Sequence, residues 1–444
     1  YSVGWIDQLL TLRLAEPISL FFLASLCFYF LAQVLGFNTI ISIIGALGYS
    51  YATYNPIIVS VGHITKMHSI AYLPLFIGSL LVLYQKKYLL GGTLTAIATA
   101  LLIQGNHIQI DYYGVIIAII MSIYFLIIWI KNKEYTHILK TLGIGLTAGI
   151  IGLAVNAPLL LSTYEYGKES IRGGSKLITK DSKTTSTGLN KDYALSYSMY
   201  KSEPLVLMFP NIYGGGSDPN AVDPANSKAI ETLQQMQPQV AQQLQSFLSF
   251  YWGGIGFTAG PPYVGVIICF FALLGFSVKE NKHKWWIAAT IILSFLLSAG
   301  SYLESFNVFI LNNIPFYNKF RAPSMIMVIP TLLLGIMALY GMAEITTETS
   351  LKNITKKYKL SFILVGIILL SVLSIYFTSD FKSDGERNLI EQIAKIPDAN
   401  QRATFEAPAR DLVNAIATDR KGMIEGDVVK FFIYLLLIFA LVFL

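Results

Sequence analysis

Long apolar runs are the feature that most limits how this chain can fold. A helix needs about 20 apolar residues to cross the hydrocarbon core of a bilayer, and tilting widens the usable range to roughly 17–25 residues. Eleven runs of about this length lie near 18–36, 39–60, 69–84, 88–104, 112–130, 138–161, 262–278, 285–300, 323–343, 360–378 and 428–444. The sequence therefore predicts an all-α polytopic membrane protein with about eleven transmembrane helices.

The composition excludes an ordinary soluble domain. Hydrophobic residues make up 54% of the chain and charged residues only 13%, whereas about a quarter of a typical soluble domain is charged. The formal net charge of +6 does not indicate nucleic-acid binding, because the basic residues lie mostly in short loops, as the positive-inside rule requires. Cys27 and Cys269 lie in apolar runs, so we expect neither a disulfide framework nor a cysteine metal site.

Loop lysines predict the orientation of the spans. Twelve lysines lie in the short connections 85–88, 131–140, 279–284 and 344–359, and these are Lys86, Lys87, Lys131, Lys133, Lys140, Lys279, Lys282, Lys284, Lys352, Lys356, Lys357 and Lys359. We expect these connections on the cytoplasmic side. Alternation of the spans then places on the extracytoplasmic side all seven arginines and the segments 1–17, 61–68, 105–111, 162–261, 301–322 and 379–427.

The spans and loops divide the chain into six expected parts. These are an interfacial helix at 1–17, six spans in 18–161, an extracytoplasmic loop with re-entrant and amphipathic segments at 162–261, four spans in 262–378, an extracytoplasmic helical segment at 379–427, and a last span at 428–444. Pro397 and Pro408 are expected to separate two helices, near 386–397 and 408–420. We expect the protein to continue beyond Tyr1 and Leu444.

Two short polar turns between apolar runs are the main candidates for a functional site. The first runs from His63 through Lys66 to His68, and the second contains Asn106, His107 and Asp111. Polar groups at the ends of membrane helices are costly to bury and tend to face a cavity or pathway. His107 and Asp111 are four residues apart, so the carboxylate would raise the pKa of the imidazole and fix its tautomer for acid–base catalysis.

Other interpretations of these turns stay open. His63, His68, His107 and Asp111 are acceptable zinc ligands, but none has a recognised metal spacing, so a metal is possible and not favoured. The histidines and Asn106 could instead cap helix ends at the membrane interface. Because the two neighbouring turns carry similar groups at the same depth, a cavity is the simpler explanation.

Further charged residues are expected on the same face. Glu165 and Arg172 follow the sixth run, and Lys319 and Arg321 precede the ninth. Lysine and arginine at the mouth of a helix can bind a phosphate by charge-assisted hydrogen bonds, and arginine can do so with two parallel bonds. The alternative is that these side chains snorkel to the interface or form ordinary salt bridges.

Several motifs in consistent order resemble the YfhO-like bacterial membrane proteins. The motifs are Gly62-His63 with Lys66 and Ala71-Tyr72-Leu73-Pro74, Asn106-His107-Ile108-Gln109, Tyr164-Glu165-Tyr166 with Arg172-Gly173, Pro210-Asn211-Ile212-Tyr213-Gly214-Gly215, Tyr251-Trp252-Gly253, Pro262-Tyr263-Val264-Gly265, Lys319-Phe320-Arg321-Ala322, Asp419-Arg420-Lys421 and Asp427. The resemblance implies a fold similar to the GT-C glycosyltransferases. Such enzymes move a sugar from a polyprenyl-phosphate carrier to an envelope glycan or protein on the outer face of the bacterial cytoplasmic membrane.

The resemblance also implies roles for the candidate residues. GT-C enzymes usually carry the main catalytic acid in the first outer loop, of which residues 1–17 would be the tail. We expect that acid to precede Tyr1, so Asp111, His107 and Glu165 are the catalytic candidates within the chain. The expected substrate-binding residues are His63, Lys66, His68, Asn106, Arg172, Lys319 and Arg321. No cofactor is expected, whereas membrane lipids and partner subunits are expected contacts. The alternative function is a non-catalytic transporter, flippase or envelope-complex subunit that binds a lipid or glycan.

Overall fold

The protein is helical throughout the part of the chain that its structure covers. This computed structural model describes residues 3–173, 188–218, 222–279, 281–346 and 357–443, and no β-strand occurs among them. Lys352 and Lys356, two of the predicted cytoplasmic lysines, lie outside these ranges.

The helices before the long loop follow one another with short connections. They are α1 Gly4–Leu10, α2 Ile18–Val34, α3 Thr39–Ser50, α4 Tyr54–Ser60, α5 Ile64–Tyr84, α6 Tyr88–Gln104, α7 Ile108–Lys131, α8 Tyr135–Val155 and α9 Ala157–Glu169. Several helices pack against the next one along the chain, including α2 with α3, α5 with α6 and α7 with α8, as short connections favour.

The second half mixes short helices with long ones. They are α10 Lys191–Ala194, α11 Lys228–Gln235, α12 Pro238–Leu244, α13 Val266–Ser277, α14 Lys284–Ser298, α15 Glu304–Asn313, α16 Val328–Ile345, α17 Lys359–Thr378, α18 Asp384–Ala394 and α19 Ala399–Phe443. Short 3₁₀ turns at Glu203–Leu207, Tyr317–Lys319 and Pro323–Met327 connect some of these elements.

Apolar helices of membrane-spanning length make this a membrane-embedded protein. Among the described residues five helical segments are long and apolar enough to cross a bilayer, namely α5, α7, α8, Pro323–Ile345 and α17. The pair α14 and Gly300–Asn313 would count as a sixth if its 107° bend lies within one span. Four more apolar helices, α2, α3, α6 and α13, are shorter. The total of eleven spans therefore stays a prediction.

The apolar run 39–60 forms two helices where the sequence predicts one span. The chain breaks between α3 and α4 because Thr53 is held by another segment, its hydroxyl donating to the carbonyl oxygens of Pro261 at 2.9 Å and Tyr263 at 3.0 Å. The Asn55 amide donates to the Tyr49 carbonyl oxygen at 2.9 Å, which satisfies an acceptor at the end of α3. Because of this break, α4 is a separate short helix, and its surface faces the helices that follow it in the chain.

Helix α5 lies at the centre of the bundle. In its most apolar window 83% of the residues are buried, against 17% for the corresponding windows of α8 and α17. Its neighbours include α2, α6 and α7. A helix that is apolar all round and surrounded by others belongs in the interior, whereas α8 and α17 present most of their apolar surface outward to lipid.

The segment after 379 differs from the prediction. Helix α19 continues through Pro408, which was expected to separate two helices, and runs unbroken to the end of the described chain. A proline inside a helix costs roughly 3 kcal/mol, but here Ala409 and Leu412 are fully buried in a cluster with residues of α11, α12 and α18. Packing of that face offsets the lost backbone hydrogen bond.

Arg420 fastens α19 to the elements around it. Its side chain is fully buried and donates to both carboxylate oxygens of Glu386, at 2.7 and 2.8 Å, and to the carbonyl oxygens of Ser249 and Phe250, each at 2.8 Å. A buried guanidinium is tolerated only when its donors are satisfied in this way. The polar end of α19 is therefore held rigidly beside the loops that precede α13.

Candidate functional site

A cavity of about 1490 Å³ opens at the end of the bundle where α5 and α7 begin. It contains seven of the ten candidate residues, namely His63, Lys66, Asn106, His107, Arg172, Lys319 and Arg321. These residues come from four segments that are far apart in sequence. We refer to this space as the cationic cavity, because five of its lining residues are lysine or arginine: Lys66, Lys168, Arg172, Lys319 and Arg321.

The two polar turns form one side of the cavity. His63 immediately precedes α5 and Lys66 lies in its first turn, while Asn106 and His107 connect α6 to α7. Asn106 has φ 59°, a left-handed conformation that closes the tight turn between the two helices. The short turn brings the start of α7 beside the start of α5.

Three other non-glycine residues with positive φ also line the cavity. They are Tyr197 at 62°, Phe316 at 64° and Ala322 at 58°. Left-handed backbone costs of order 1 kcal/mol or more for such residues and persists only where the surroundings enforce it. Several residues with left-handed backbone lie around this one cavity. This indicates that the surrounding structure holds these loops in the conformation that a functional site requires.

Lys66 is the buried lysine of the cavity lining. It is only 7% exposed, and in the described part of the chain no hydrogen bond or ion pair is formed by its ammonium group. The Lys66 Nζ atom lies over the Tyr54 ring, 5.9 Å from the ring centroid. A buried ammonium without an anionic partner is costly, and polar groups of this kind in membrane helices usually mark functional sites.

Arg321 is held in a fixed orientation at the opposite wall. Its guanidinium donates to the Tyr193 hydroxyl at 2.6 Å and lies over the rings of Tyr193 and Tyr197, at 5.2 and 6.0 Å from their centroids. The main-chain carbonyl oxygen of Arg321 accepts from the Gln109 side-chain amide at 2.7 Å. These contacts use one side of the guanidinium and leave it available for an anion on the cavity side.

Arg172 and Lys319 form the rim. Lys319 Nζ donates to the carbonyl oxygen of Arg172 at 2.7 Å, and the Arg172 guanidinium donates to the carbonyl oxygen of Lys319. Both acceptors are neutral main-chain oxygens. The pair joins the segment after α9 to the turn at Tyr317–Lys319.

Burial and nearby cations keep the cavity histidines neutral. Burial, together with the charge of Lys66, lowers the pKa of His107 to about 4. Burial and the charges of Lys66 and Arg321 also lower the pKa of His63. Both imidazoles are therefore neutral at pH 7, and they add polarity to the cavity without adding charge.

The predicted pairing of His107 with Asp111 does not form. His107 Nδ1 has no hydrogen-bond partner among the described residues, and the side chain that bonds the Asp111 carboxyl group is Ser69. The prediction that the carboxylate raises the pKa of His107 is wrong, because burial and Lys66 lower it instead. Asp111 is 8% exposed and lies behind the cavity wall beside Ser69 of α5.

Glu165 and His68 also lie outside the cavity. The Glu165 carboxylate is exposed and accepts from Lys168 at 2.8 Å. His68 bonds through Nε2 to the Asp7 carboxylate at 2.7 Å, in a separate pocket of about 480 Å³. Helical geometry explains the separation, because Lys66 and His68 are two residues apart and thus about 200° apart around α5.

Asp7 joins α1 to α5. Its carboxylate accepts from His68 and from the Tyr72 hydroxyl, the latter at 2.5 Å. Burial alone would raise the pKa of Asp7, but these two hydrogen bonds together outweigh burial and lower it. Asp7 therefore has a structural partner, and it does not face the cationic cavity.

The charged side chains that line the cavity are all positive in the described part of the chain. Along the described chain no aspartate or glutamate lines it, and no group of three or more histidine, cysteine and acidic side chains is placed to hold a metal ion. The rest of the lining is largely apolar and includes Ile57, Ile58, Val61, Leu153 and Leu160. Such a site suits a ligand with an anionic group and an apolar part.

Sequence reasoning missed four residues that shape the cavity. They are Tyr54 under Lys66, Gln109 on the Arg321 carbonyl, and Tyr193 and Tyr197 around the Arg321 guanidinium. Gln109 lies within the second polar turn, so its position in the sequence could have identified it as a residue of the site. Tyr54 begins α4, Tyr193 lies in the short helix α10 and Tyr197 lies in the turn after it. No local pattern predicts that these three segments meet at the cavity.

Comparison with protein-family models, curated proteins and solved structures finds no match to this chain. The YfhO-like resemblance therefore stays a prediction. The function is inferred from the residues that line the cavity and from this resemblance.

Proposed function

We propose that this protein is a membrane glycosyltransferase that binds a polyprenyl-phosphate-linked sugar in the cationic cavity. It passes the sugar to an envelope glycan or protein on the extracytoplasmic face of the bacterial cytoplasmic membrane. The observation that carries the proposal is Lys66, a buried ammonium facing a cavity whose described lining holds no acidic side chain. The identity of the carrier and of the reaction comes from the family resemblance.

The charges favour a phosphate as the anionic group. An unpaired buried charge costs several kcal/mol, and a bound anion removes that cost. Lys66 supplies a compact positive charge, and Arg321 supplies a planar donor that matches two phosphate oxygens. Because Arg321 is already held by Tyr193, little conformational entropy is lost when it binds.

The apolar walls favour a lipid carrier. Val61 and Leu153 line the cavity and are 49% and 47% exposed, and α8, which carries Leu153, is one of the helices with most of its apolar surface outward. The apolar side of the cavity thus continues onto surface that faces lipid. Its volume of about 1490 Å³ exceeds the roughly 300–1,000 Å³ of ordinary small-molecule pockets.

His63 is the candidate base. Its lowered pKa keeps the imidazole neutral at pH 7, so it can accept the proton of an acceptor hydroxyl. The acceptor oxygen forms a bond to the anomeric carbon while the bond from that carbon to the phosphate oxygen breaks. The polyprenyl phosphate leaves with its negative charge stabilised by Lys66 and Arg321.

One observation favours a second function. Glycosyl transfer commonly uses a carboxylate, and Asp111 and Glu165, the acidic candidates of the sequence, do not reach the cavity. A protein that binds a lipid-linked glycan without chemistry, as a transporter, flippase or envelope-complex subunit, would need the cations alone.

Binding and transfer measured on the same variants separate the two functions. We expect Lys66→Met and Arg321→Gln to weaken binding of a polyprenyl-phosphate sugar at least tenfold, whereas Lys191→Met, an exposed lysine outside the cavity, should bind as the wild type does. Transfer to an envelope acceptor by the wild type supports the enzyme. Binding without transfer supports the non-catalytic function. If Lys66→Met and Arg321→Gln both bind the sugar donor as tightly as the wild type does, both proposed functions are contradicted.

A further inference from the structure

A second pocket, separate from the cationic cavity, lies where α1, α2 and α5 meet. It has a volume of about 480 Å³, and its lining includes Asp7 of α1, Ser19 of α2 and His68 of α5. We refer to it as the α1 pocket. Its charged side chains carry both signs, because Arg13 lines it together with Asp7 and Glu16. Such a lining is complementary to a ligand that itself carries a positive and a negative group.

The α1 pocket offers charged groups that the protein does not use. Both hydrogen bonds to the Asp7 carboxylate, from His68 at 2.7 Å and from the Tyr72 hydroxyl at 2.5 Å, go to its Oδ1 atom. Among the described residues no hydrogen bond reaches Asp7 Oδ2, and no ion pair joins Arg13 to Glu16 or to Asp7. The pocket therefore presents two acceptors, Asp7 Oδ2 and the Glu16 carboxylate, and one planar donor, the Arg13 guanidinium.

The backbone at Arg13 has an unusual conformation. Leu12 and Arg13 both have φ 52°, and left-handed backbone is unfavourable for residues with a side chain. It persists only where the surroundings enforce it, and it is concentrated at ligand sites. The turn places Arg13 and Glu16 on the same pocket with their charges unpaired.

The α1 pocket lies at the level where apolar helices begin. Helix α5 is long and apolar enough to span a membrane, and His68 lies four residues after its start, or roughly 6 Å along its axis. The apolar helix α2 begins at Ile18, next to the lining residue Ser19. On α1, Trp5 and Leu9 are exposed, as in a helix that lies in the membrane interface. This position matches the depth of lipid headgroups.

We propose that the α1 pocket binds the headgroup of an aminophospholipid of the phosphatidylethanolamine type. The Arg13 guanidinium binds the phosphate with parallel hydrogen bonds, and the primary ammonium donates to Glu16 and to Asp7 Oδ2. The acyl chains lie along exposed apolar side chains at the pocket, Leu14 and Ile18. The site does not depend on the proposed glycosyl transfer.

The lining of the pocket disfavours the other common headgroups. A choline group is a quaternary ammonium without N–H donors and is recognised by aromatic side chains, but the described lining contains no tyrosine, tryptophan or phenylalanine. A purely anionic headgroup would gain one arginine and lie beside two carboxylates, which repel it. A headgroup with a phosphate and a primary ammonium is matched by all three charged side chains.

Native mass spectrometry of the purified protein with added lipids tests the site. We expect the wild type to retain phosphatidylethanolamine at least about fivefold more tightly than phosphatidylcholine or phosphatidylglycerol with the same acyl chains. Glu16→Gln should lose the preference over phosphatidylcholine, and Arg13→Gln should weaken retention of phosphatidylethanolamine by a similar factor. The matched controls Glu391→Gln and Arg410→Gln change exposed side chains outside the pocket and should behave as the wild type does.

Three outcomes would overturn the proposal. They are equal retention of phosphatidylethanolamine and phosphatidylcholine by the wild type, an unchanged preference in Glu16→Gln, and tighter retention of phosphatidylglycerol than of phosphatidylethanolamine. Soluble glycerophosphoethanolamine should displace the lipid only weakly, and displacement as strong as that by the lipid itself would show a water-soluble ligand instead. A shift of preference toward phosphatidylglycerol in Glu16→Lys would support direct contact between residue 16 and the ammonium.

Discussion

Replacing Lys66 by methionine should stabilise the protein in the absence of ligand. Lys66 is 7% exposed and close enough to Arg321 for repulsion between the two charges. Methionine keeps an unbranched side chain of similar length and carries no charge. The substitution therefore removes an uncompensated positive charge without opening a void in the first turn of α5.

The size of the effect follows from the burial of the ammonium and from the space it faces. Replacement of buried charges by apolar side chains of similar volume stabilises proteins by roughly 1–4 kcal/mol. The Lys66 ammonium faces a cavity of about 1490 Å³, which reduces its desolvation, so we expect about 1–2 kcal/mol. In a chain of 444 residues this corresponds to a rise of roughly 1–2 °C in melting temperature.

Thermal unfolding with and without ligand measures both effects of the substitution. Saturation with a polyprenyl-phosphate sugar at a hundredfold excess over its Kd should stabilise the wild type by about 2.7 kcal/mol and Lys66→Met much less. Lys191→Met is the matched control, because Lys191 is half-exposed and pairs with Glu304 at 2.7 Å. The control should stay within about 0.5 kcal/mol of the wild type. A Lys66→Met protein less stable than the wild type without ligand would refute the reasoning, because Lys66 would then have a favourable partner within the protein.

Three further predictions concern other parts of the structure. The pKa of His107 is lowered to about 4, so the unfolded chain binds more protons between pH 4 and 6.5 and stability falls as the pH drops through this range; His107→Gln should remove roughly 2–3 kcal/mol of that dependence between pH 7 and pH 4 in chemical denaturation. The lowered pKa of Asp7 means that its carboxylate stabilises the fold above about pH 4 and loses that effect as the pH falls through the folded-state pKa; Asp7→Asn should therefore cost about 1 kcal/mol at pH 7 and almost nothing at pH 2, measured in the same way. Arg420→Met leaves Glu386 buried without its partner and should cost about 3–5 kcal/mol, seen as faster proteolysis of the segment 379–427, and a Glu386→Gln change added to it should recover part of the loss.

The helical, membrane-embedded character of the chain could be predicted from its apolar runs. The apolar runs became helices because a buried or lipid-facing backbone must satisfy its hydrogen bonds within each segment. The two polar turns were identified correctly as neighbours, since short connections force consecutive membrane helices side by side. The break between α3 and α4 could not be predicted, because it depends on Thr53 bonding to residues more than two hundred positions away.

The composition of the candidate site was harder to predict than its location. Spacing indicates which residues share a helix face, as for His107 and Asp111, but not which neighbouring helix covers that face. Asp111 faces α5 at Ser69, and His68 faces α1 at Asp7. Both partners are defined by tertiary packing. The helical angle between Lys66 and His68 was nevertheless available from the sequence and argued against placing both in one cavity.

A high-resolution structure with a polyprenyl-phosphate sugar bound is the most direct test of the cationic cavity. We predict a phosphate oxygen within about 3 Å of Lys66 Nζ, a second oxygen on the Arg321 guanidinium, and the lipid chain along the wall of Val61 and Leu153. A phosphate bound elsewhere, with the cavity still holding Lys66 unpaired, would contradict the account.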